Sequence, residues 1–334
     1  MPDPVRWLFR APDAYSSIEG LFDSIERYLV RDRPVTKHVV SSPRARPFAL
    51  LRNLLDVASI PTGGILHVTG DIHYAVCMAF RPSVLTIHDL RFLDESHGLR
   101  RWLMWCFWLC LPVMMADRVT VISATTRDRL LAWLPWAWSK IRVVPNGVGD
   151  AFQLSPKEWP QGRPRVLQAG TTPNKNLDRV IEACRGMDLT LVVLGDLDEA
   201  GKRRIADAGI DAEFHARLGR DAVVALYESC DVVIFASTYE GFGLPILEAQ
   251  AVGRPLITSN VAPMNEVAGG AALLVDPFEA ASIRDALKRI MRDAVLRDEL
   301  VRRGLENLRH WRMDAVAAGY EQVYREVLAE TSEG

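Results

Sequence analysis

The sequence predicts an α/β fold of two doubly wound domains, each with a parallel sheet that helices cover on both faces. Short apolar runs rich in β-branched residues alternate with helix-like stretches along the 334 residues. This length suits two domains of ordinary size, and a hydrophobic content of 49% is ample for their cores. A stretch with three prolines, residues 154–164, separates the halves. We therefore expect domains over 1–153 and 154–312, and a C-terminal helix over 313–334 that returns to the first domain.

The strands are predicted from short apolar runs that occur at regular intervals in both halves. In the first half these runs are 5–9, 35–40, 65–69, 84–88, 118–122 and 141–144. In the second half they are 165–169, 189–194, 231–235, 255–258 and 272–275. Helix-like stretches lie between them, for example at 16–29, 123–134, 176–186 and 221–229. Ligands of such sheets bind at the carboxyl ends of strands, so two facing domains would form a cleft.

The stretch "TYEGFGLPILEAQAVGRP", residues 238–255, indicates a glycine turn between a strand and a short helix. Gly243 permits backbone angles that other residues avoid, and Pro245 suits a first helical turn. Such a turn points unpaired N–H groups and the positive end of a helix dipole at an anion such as phosphate. Glu240 and Glu248 would then accept hydrogen bonds from the hydroxyls of a ribose or a hexose. The alternative is a structural turn in which Glu248 only stabilises the helix start.

Further polar candidates follow other predicted strands. His88 closes the strand 84–88, where it could donate to a sugar hydroxyl or be satisfied by backbone groups. Lys175, in "AGTTPNKNL", could meet a phosphate as a mobile charge or be a solvated loop lysine. Asp196 and Asp198, in "GDLD", have the spacing of a metal chelate, but no other ligand accompanies them and we favour a solvated loop. Because no histidine or cysteine cluster has metal-ligand spacing, we expect no metal.

The composition limits which binding partners and which cellular compartment we expect for this chain. The net charge of -2 argues against a nucleic-acid surface. Five scattered cysteines, none in a C-x-x-C pair, are typical of reduced thiols in a cytoplasm. The first residues lack the apolar segment of a signal peptide. We expect a cytoplasmic chain that binds no nucleic acid.

A tryptophan-rich segment, residues 102–138, holds six of the nine tryptophans. Its uncharged run 102–116 contains a proline and is too short to span a bilayer comfortably. One interpretation is an interfacial helix, preceded by Arg100 and Arg101, that touches the inner face of the membrane. The other is a helix buried in its own domain. We favour the buried helix, because a helix that is apolar all round is more often core.

These motifs, in this order, resemble the retaining glycosyltransferases of family 4, also called group 1 glycosyl transferases. "EGFGLPILE" matches the Glu-x7-Glu motif of that family with Glu240 and Glu248. Four supporting stretches occur in the family's order, at 85–93, 116–130, 141–148 and 265–277. The resemblance covers nearly the whole chain and implies the GT-B fold of two Rossmann-like domains.

The resemblance also implies an activity and residue roles. A nucleotide-diphosphate sugar, UDP- or GDP-linked, would give its sugar with retention to a hydroxyl of a glycan or lipid-linked glycan. Polysaccharide or lipid-linked glycan biosynthesis is the expected setting, with mannosyl transfer among the options and no metal cofactor. Glu240 would contact the donor sugar, His88 would position it, and Glu248 would bind the ribose. The diphosphate would be faced by the remaining donor-binding residues, which are Lys175, Gly241, Phe242, Gly243 and Leu244.

The sequence departs from the family pattern in two places. The family usually has an arginine near Thr171 or Asn174, and both positions are neutral here. A glycine-rich loop often follows the first strand, but this chain offers only "SSIEGLF" with Gly20. An alternative is therefore a non-catalytic protein that binds sugar nucleotides. A nucleotide-sugar epimerase is disfavoured, because it should carry G-x-G-x-x-G after an early strand and this sequence has no such motif there.

Overall fold

The computed structural model describes residues 3–11, 17–29, 33–42, 47–79 and 82–333. It divides the chain into two compact units, residues 1–146 with 313–334, and residues 147–312. Each unit contains one parallel six-stranded sheet, in agreement with the predicted fold class. The stretch "SSIEGLF" with Gly20 is helical from Ser17 onward, in the helix Ser17–Glu26, and its residue 16 lies outside the described residues.

The sheet of the first unit has the order β2-β1-β3-β4-β5-β6, with every neighbouring pair parallel. Strands β3, β4 and β5 are buried along their whole length, because helices cover both faces. The strands are β1 Val5–Phe9, β2 Val35–Val39, β3 Ile65–Val68, β4 Ser83–Ile87, β5 Arg118–Val121 and β6 Ile141–Val143. The helices before the second unit are α1 Ser17–Glu26, α2 Pro47–Ser59, α3 Arg91–Asp94, α4 Gly98–Met104, α5 Leu111–Met115 and α6 Ala124–Trp133. Short 3-10 helices occupy His73–Met78 and Pro135–Lys140, and a π-helical segment, Trp105–Cys110, joins α4 to α5.

The sheet of the second unit has the order β12-β11-β10-β7-β8-β9 and is also parallel throughout. Its strands are β7 Arg165–Ala169, β8 Thr190–Leu194, β9 Asp211–His215, β10 Val232–Phe235, β11 Leu256–Ser259 and β12 Leu273–Val275. Its helices are α7 Leu177–Cys184, α8 Glu199–Asp207, α9 Arg220–Ser229, α10 Leu244–Ala251, α11 Met264–Ala268, α12 Ala280–Arg292 and α13 Ala294–Asn307. Two 3-10 turns, Pro173–Lys175 and Leu308–His310, complete the unit.

The C-terminal helix α14, Met313–Glu333, belongs to the first unit, as predicted. Its inner face is part of that unit's core, where Tyr320 and Tyr324 are fully buried. The indole Nε1 of Trp7 in β1 donates to the hydroxyl of Tyr324 at 3.0 Å. Arg33 forms two hydrogen bonds with the Glu321 carboxylate, at 2.8 and 2.7 Å, and both side chains are buried. The helix is therefore fixed to the first sheet by apolar packing and by a buried ion pair.

Two features of the second unit differ from the prediction. Strand β9 was not predicted, because its residues are polar and only partly buried at the edge of the sheet. The proline-rich stretch 154–164, predicted as a linker, lies within the second unit. Arg254 donates to the carbonyl of Ser155 at 2.8 Å, and the Arg297 guanidinium lies 3.8 Å from the centroid of the Trp159 ring. These contacts hold the stretch against the body of its unit.

The tryptophan-rich helix is not a buried helix, so the interpretation that we favoured is wrong. Leu109 and Val113 on one face are fully buried, but Trp102 and Phe107 on the other face are more than half exposed. Periodicity could not reveal this, because both faces are apolar in sequence. No helix among the described residues is long and apolar enough to cross a membrane.

Candidate active site

The candidate site of the second unit lies where the strand order of its sheet reverses. Strands β7 and β10 are neighbours, and the chain proceeds from β7 towards β8 and from β10 towards β11. The loops that follow β7 and β10 therefore leave the same edge of the sheet in opposite directions. In open α/β sheets a crevice at such a switch point is the usual place for a ligand. Both loops carry residues that the sequence singled out.

Lys175 and Glu240 meet at this switch point. The Lys175 ammonium lies 2.7 Å from Oε1 of Glu240, and both side chains are largely buried. Asn174 donates from Nδ2 to the same Oε1 at 3.0 Å and to the Tyr239 carbonyl at 3.0 Å. The Lys175 ammonium also lies 4.5 Å from the centroid of the Phe235 ring. The lysine that the sequence assigned to phosphate is thus also a partner of the first motif carboxylate.

This arrangement leaves one oxygen of Glu240 available. Oε1 receives both the lysine and the asparagine donors, whereas Oε2 has no hydrogen-bond partner within the described part of the chain. A carboxylate fixed through one oxygen keeps the other in a defined position to accept a hydrogen bond. This geometry suits the predicted role of Glu240, which is to accept a hydrogen bond from a sugar hydroxyl, and that role stays a prediction.

The loop that carries Lys175 is shaped by residues that tolerate unusual backbone angles. Gly170 has a φ of 106°, and a Cβ there would lie 2.9 Å from the Lys175 side chain. Asn176 is in the left-handed region, with a φ of 62°, and is buried. Its Nδ2 donates to the carbonyls of Ala236, at 3.0 Å, and Pro277, at 2.6 Å. These contacts tie the loop after β7 to the loop after β10 and so fix the position of Lys175.

Gly243 is the N-cap of helix α10 and has a φ of 109°. A Cβ at this position would lie 3.0 Å from Ile246, so a side chain would be strained in both conformation and space. The preceding Phe242 is buried and packs edge-to-face on Trp311, with 5.2 Å between ring centroids. The helix start at Leu244 follows the predicted glycine turn. Its N–H groups have the polarity that suits an anion.

Glu248, in α10, lies in an enclosed, mixed environment. Burial raises the pKa of its carboxyl, while a hydrogen bond from Tyr227 and the charges of Lys175 and Arg220 lower it in part. The charge of Lys175 thus acts on both motif carboxylates, Glu240 and Glu248. The structure brings the motif together with Lys175 in the second unit.

Several residues of this site were missed in the sequence. Asn174, Tyr227 and Arg220 all interact with a motif glutamate, yet Asn174 comes from the turn after β7 and the other two come from α9. Asn176 had a detectable signal, because asparagine before an apolar helical run is typical of a helix start. Arg220 supplies a positive charge near Glu248, whereas the two positions near which the resemblance implies an arginine are occupied by the neutral Thr171 and Asn174. The Thr171 hydroxyl donates to the carbonyl of Asp196 at 2.6 Å.

His88 lies in the first unit, directly after β4. Its Nε2 is 2.7 Å from the carbonyl of Thr69, which follows β3, so Nε2 carries the proton of this hydrogen bond. Nδ1 forms no hydrogen bond with a described residue and can accept one or, when protonated, donate. The alternative that backbone groups satisfy His88 predicted this contact, and the contact is present. It fixes the ring and leaves the other ring nitrogen for a ligand.

The "GDLD" residues have structural partners. Asp198 is the N-cap of α8, where its Oδ1 accepts from the N–H of Gly201 at 2.8 Å. Asp196 is exposed and lies 3.3 Å from Nε of Arg217. Among the residues that the structure describes, no group of three or more histidine, cysteine or acidic side chains is arranged to hold a metal ion.

Two family profiles match consecutive parts of the chain. The profile described as "Glycosyl transferases group 1" matches residues 152–307, and "Glycosyltransferase Family 4" matches residues 22–152. The chain belongs to the group 1, family 4 glycosyltransferases. Together the matched ranges cover every strand of the two sheets except β1 and include His88, Lys175, Glu240 and Glu248.

Relatives of this chain are similar over about two thirds of its length. A D-inositol 3-phosphate glycosyltransferase of Acidothermus cellulolyticus is 31% identical over 248 residues, which are 65% of this chain and 55% of the relative. The O-antigen chain mannosyltransferase RfbU of Salmonella typhimurium is 26% identical over 227 residues, which are 65% of this chain and 64% of the relative. The chain thus spans little more than half of the first relative and less than two thirds of the second.

Solved structures share the fold along the whole glycosyltransferase chain. HepE of Anabaena, in complex with UDP-glucose, matches all of both chains with a TM-score of 0.75 at 16% identity. WaaG, a glycosyltransferase involved in lipopolysaccharide biosynthesis, matches 97% of this chain and 99% of its own with a TM-score of 0.74 at 13% identity. The architecture is therefore GT-B.

Proposed function

We propose that this protein is a retaining glycosyltransferase that moves a sugar from a nucleotide-diphosphate donor to an acceptor hydroxyl. One observation carries the proposal: Glu240 and Glu248 flank the left-handed Gly243 at the start of α10, and Lys175 holds Glu240 through a single oxygen. Two carboxylates that can accept hydrogen bonds from hydroxyls therefore lie beside a helix start that suits an anion. A sugar linked to a diphosphate has both of the groups that this arrangement binds.

The residues have distinct proposed roles. Oε2 of Glu240 accepts from a hydroxyl of the transferred sugar, and Glu248 accepts from the ribose. The N–H groups between Gly241 and Leu244 face the diphosphate and stabilise the charge that develops as it leaves. His88, held through Nε2, positions the donor sugar with Nδ1. In the family's front-face transfer the departing phosphate helps to deprotonate the acceptor, so the protein mainly orients the reactants.

The donor is proposed to carry UDP or GDP, since HepE binds UDP-glucose and RfbU is a mannosyltransferase. The acceptor is proposed to be a glycan or lipid-linked glycan. RfbU is an O-antigen chain mannosyltransferase and WaaG is involved in lipopolysaccharide biosynthesis, which supports this proposal. No metal takes part in the proposed mechanism, because Asp196 and Asp198 both have structural partners.

A panel of nucleotide sugars tests the proposal. Thermal unfolding with UDP, GDP and their hexose derivatives should show one base that raises the melting temperature, because a ligand of the native state stabilises it by mass action. The preferred nucleotide sugar should then be hydrolysed slowly or transferred to simple acceptors. Binding without any turnover, for every donor and acceptor tried, would favour the non-catalytic alternative that the neutral Thr171 position suggests. No shift with any nucleotide would contradict both.

A further inference from the structure

A group of large apolar side chains is exposed on the first unit. We call it the tryptophan surface and define it by Leu99, Trp102, Phe107, Met114, Trp136 and Trp138. Trp138 is 72% exposed and Trp102 is 57% exposed. Such exposure is unusual for tryptophan, because its large apolar ring is usually well buried. The surface combines one face of the helix that runs from α4 through the π-helical segment to α5 with the 3-10 helix Pro135–Lys140. An exposed apolar patch of this kind marks an interaction site.

The underlying scaffold is well anchored, so the exposure does not result from a loose helix. Leu109 and Val113 on the opposite face are fully buried in the core of the unit. The ammonium of Lys140 donates to the carbonyls of Met114 and Ala116, both at 2.7 Å, and thereby joins the 3-10 helix to the end of α5. The Arg101 guanidinium lies 4.8 Å from the centroid of the Trp133 ring at the end of α6. The two parts of the surface are thus fixed to one scaffold.

The charge of this region indicates the occupant. Residues 98–116 contain Arg100 and Arg101 and no acidic residue, whereas the whole chain has a net charge of -2. Arg100 is exposed, follows Leu99 directly and precedes Trp102 by two positions. Tryptophan and phenylalanine beside arginine are the side chains that settle at the boundary between lipid head groups and acyl chains. A negatively charged bilayer complements both the apolar area and the local positive charge.

We propose that the tryptophan surface docks this protein on a bilayer that contains anionic lipid. The helix lies in the plane of the membrane, because its buried face belongs to the protein core. Trp102, Phe107 and Trp138 enter the interface, and Arg100 pairs with lipid phosphate. For the acceptor this inference rests on the proposed function, since it favours a lipid-linked acceptor over a free glycan.

The structure identifies which tryptophans take part. Trp108 donates from Nε1 to the carbonyl of Asp71 at 3.1 Å, and its ring lies 4.8 Å from that of Tyr74. Trp105 packs against the core. Both point away from the proposed lipid contact, although the sequence alone would nominate the centre of the run 102–116. Trp102 and Trp138 are therefore the residues to change.

Vesicle flotation with the full chain tests the proposal. The unmodified protein should float with vesicles of phosphatidylcholine plus phosphatidylglycerol, bind vesicles of phosphatidylcholine alone more weakly, and show a blue shift of tryptophan emission. Trp102→Ser with Trp138→Ser should reduce the bound fraction by about tenfold or more, because two interfacial anchors are lost. Val295→Ser, at an exposed apolar position of the second unit, is the matched control and should float normally.

A second variant and two further measurements keep the test decisive. Arg100→Glu leaves the apolar side chains in place and should weaken binding to anionic vesicles only. Absence of flotation by the unmodified protein, or undiminished flotation of both variants, would overturn the proposal. A dimer in solution that the double tryptophan variant converts to monomers, without any flotation, would identify a second copy as the occupant instead. Calorimetry with the preferred nucleoside diphosphate should be unchanged in the double variant, so a failure of the donor site and a failure of the membrane surface are distinguishable.

Discussion

The ammonium of Lys175 lies 2.7 Å from Oε1 of Glu240, and the two residues come from loops that follow different strands of one sheet. Because β7 and β10 are hydrogen-bonded neighbours, this contact crosses the point where the strand order reverses. The pair has two consequences. It fixes the rotamer of Glu240, and it places a positive charge beside the start of α10.

We predict that Lys175 and Glu240 act as a unit. Lys175→Met should lower turnover on the order of tenfold or more, because it releases the Glu240 carboxylate and removes a charge near the leaving group. Glu240→Gln should also lower turnover, with little effect on nucleoside diphosphate affinity. If the pair works together, the double variant should lose little more than the worse single variant. Lys202→Met, at a surface lysine of α8, is the control. Losses that multiply in the double variant would show that the two residues act independently.

The raised pKa of Glu248 predicts a pH dependence of nucleotide binding. The folded protein holds this proton to a higher pH than the unfolded chain does, so the stability contribution of Glu248 falls as the pH rises through its raised pKa. Only the carboxylate, which exists above that pKa, can accept from both ribose hydroxyls. Nucleoside diphosphate affinity should therefore rise with pH as Glu248 loses its proton, at a pH above the ordinary range of a glutamate carboxyl.

Glu248→Gln is the matched control for this pH effect. The amide does not titrate, so the variant should bind the nucleotide more weakly at neutral pH and should lose the part of the pH slope that is due to Glu248. The same variant should raise the melting temperature of the unliganded protein at neutral pH, because it removes a charge that burial disfavours. Calorimetry of both proteins in one buffer series separates this group from the titration of the phosphate itself. Identical slopes would exclude Glu248 as the titrating group.

The fold was largely predictable because most strands are buried on both faces. Strand β10 is continuously apolar and β4 is mostly so, and this pattern directly indicates a central parallel strand. Strand β9 lies at an edge and carries Asp211 and Glu213, so no continuous apolar run marks it in the sequence. Its partner strand β8, and not its own composition, determines its conformation.

The site was predictable only where one local pattern contains it. The glycine turn places Glu240 and Glu248 within a single strand-to-helix connection, so their spacing in the sequence already indicated that they belong to one site. Asn174 depends on strand pairing, because the pairing of β7 with β10 brings it to Glu240. The exposed side of the tryptophan-rich helix depends on which face the core covers, and periodicity cannot decide that when both faces are apolar.

We predict that the C-terminal helix depends on the buried pair Arg33 and Glu321. Arg33→Met leaves the Glu321 carboxylate buried with Arg325, at 3.4 Å, as its one remaining partner among the residues that the structure describes. The change should destabilise the protein by about 3–5 kcal/mol. Replacing both residues, in Arg33→Met with Glu321→Leu, should recover much of that loss, because no uncompensated charge remains. Urea unfolding of the single and double variants measures the coupling. A double variant that is less stable than Arg33→Met would mean that the pair stabilises the helix mainly by attraction.

We predict that Asp198 stabilises the protein without taking part in catalysis, and that no divalent ion is needed for transfer. Its Oδ1 caps α8 through the N–H of Gly201, so Asp198→Ala should cost about 1 kcal/mol of stability and leave turnover unchanged. Asp198→Ser should restore most of the stability, because serine also caps a helix but is a poor ligand for magnesium or manganese. Asp196→Ala removes only an exposed contact with Arg217 and should change neither quantity. Two results together would contradict this prediction: activity that EDTA abolishes and manganese restores, and a loss of turnover in Asp196→Ala at an unchanged melting temperature. They would assign a divalent ion to this loop. That ion, and not the helix start of α10, would then stabilise the leaving diphosphate.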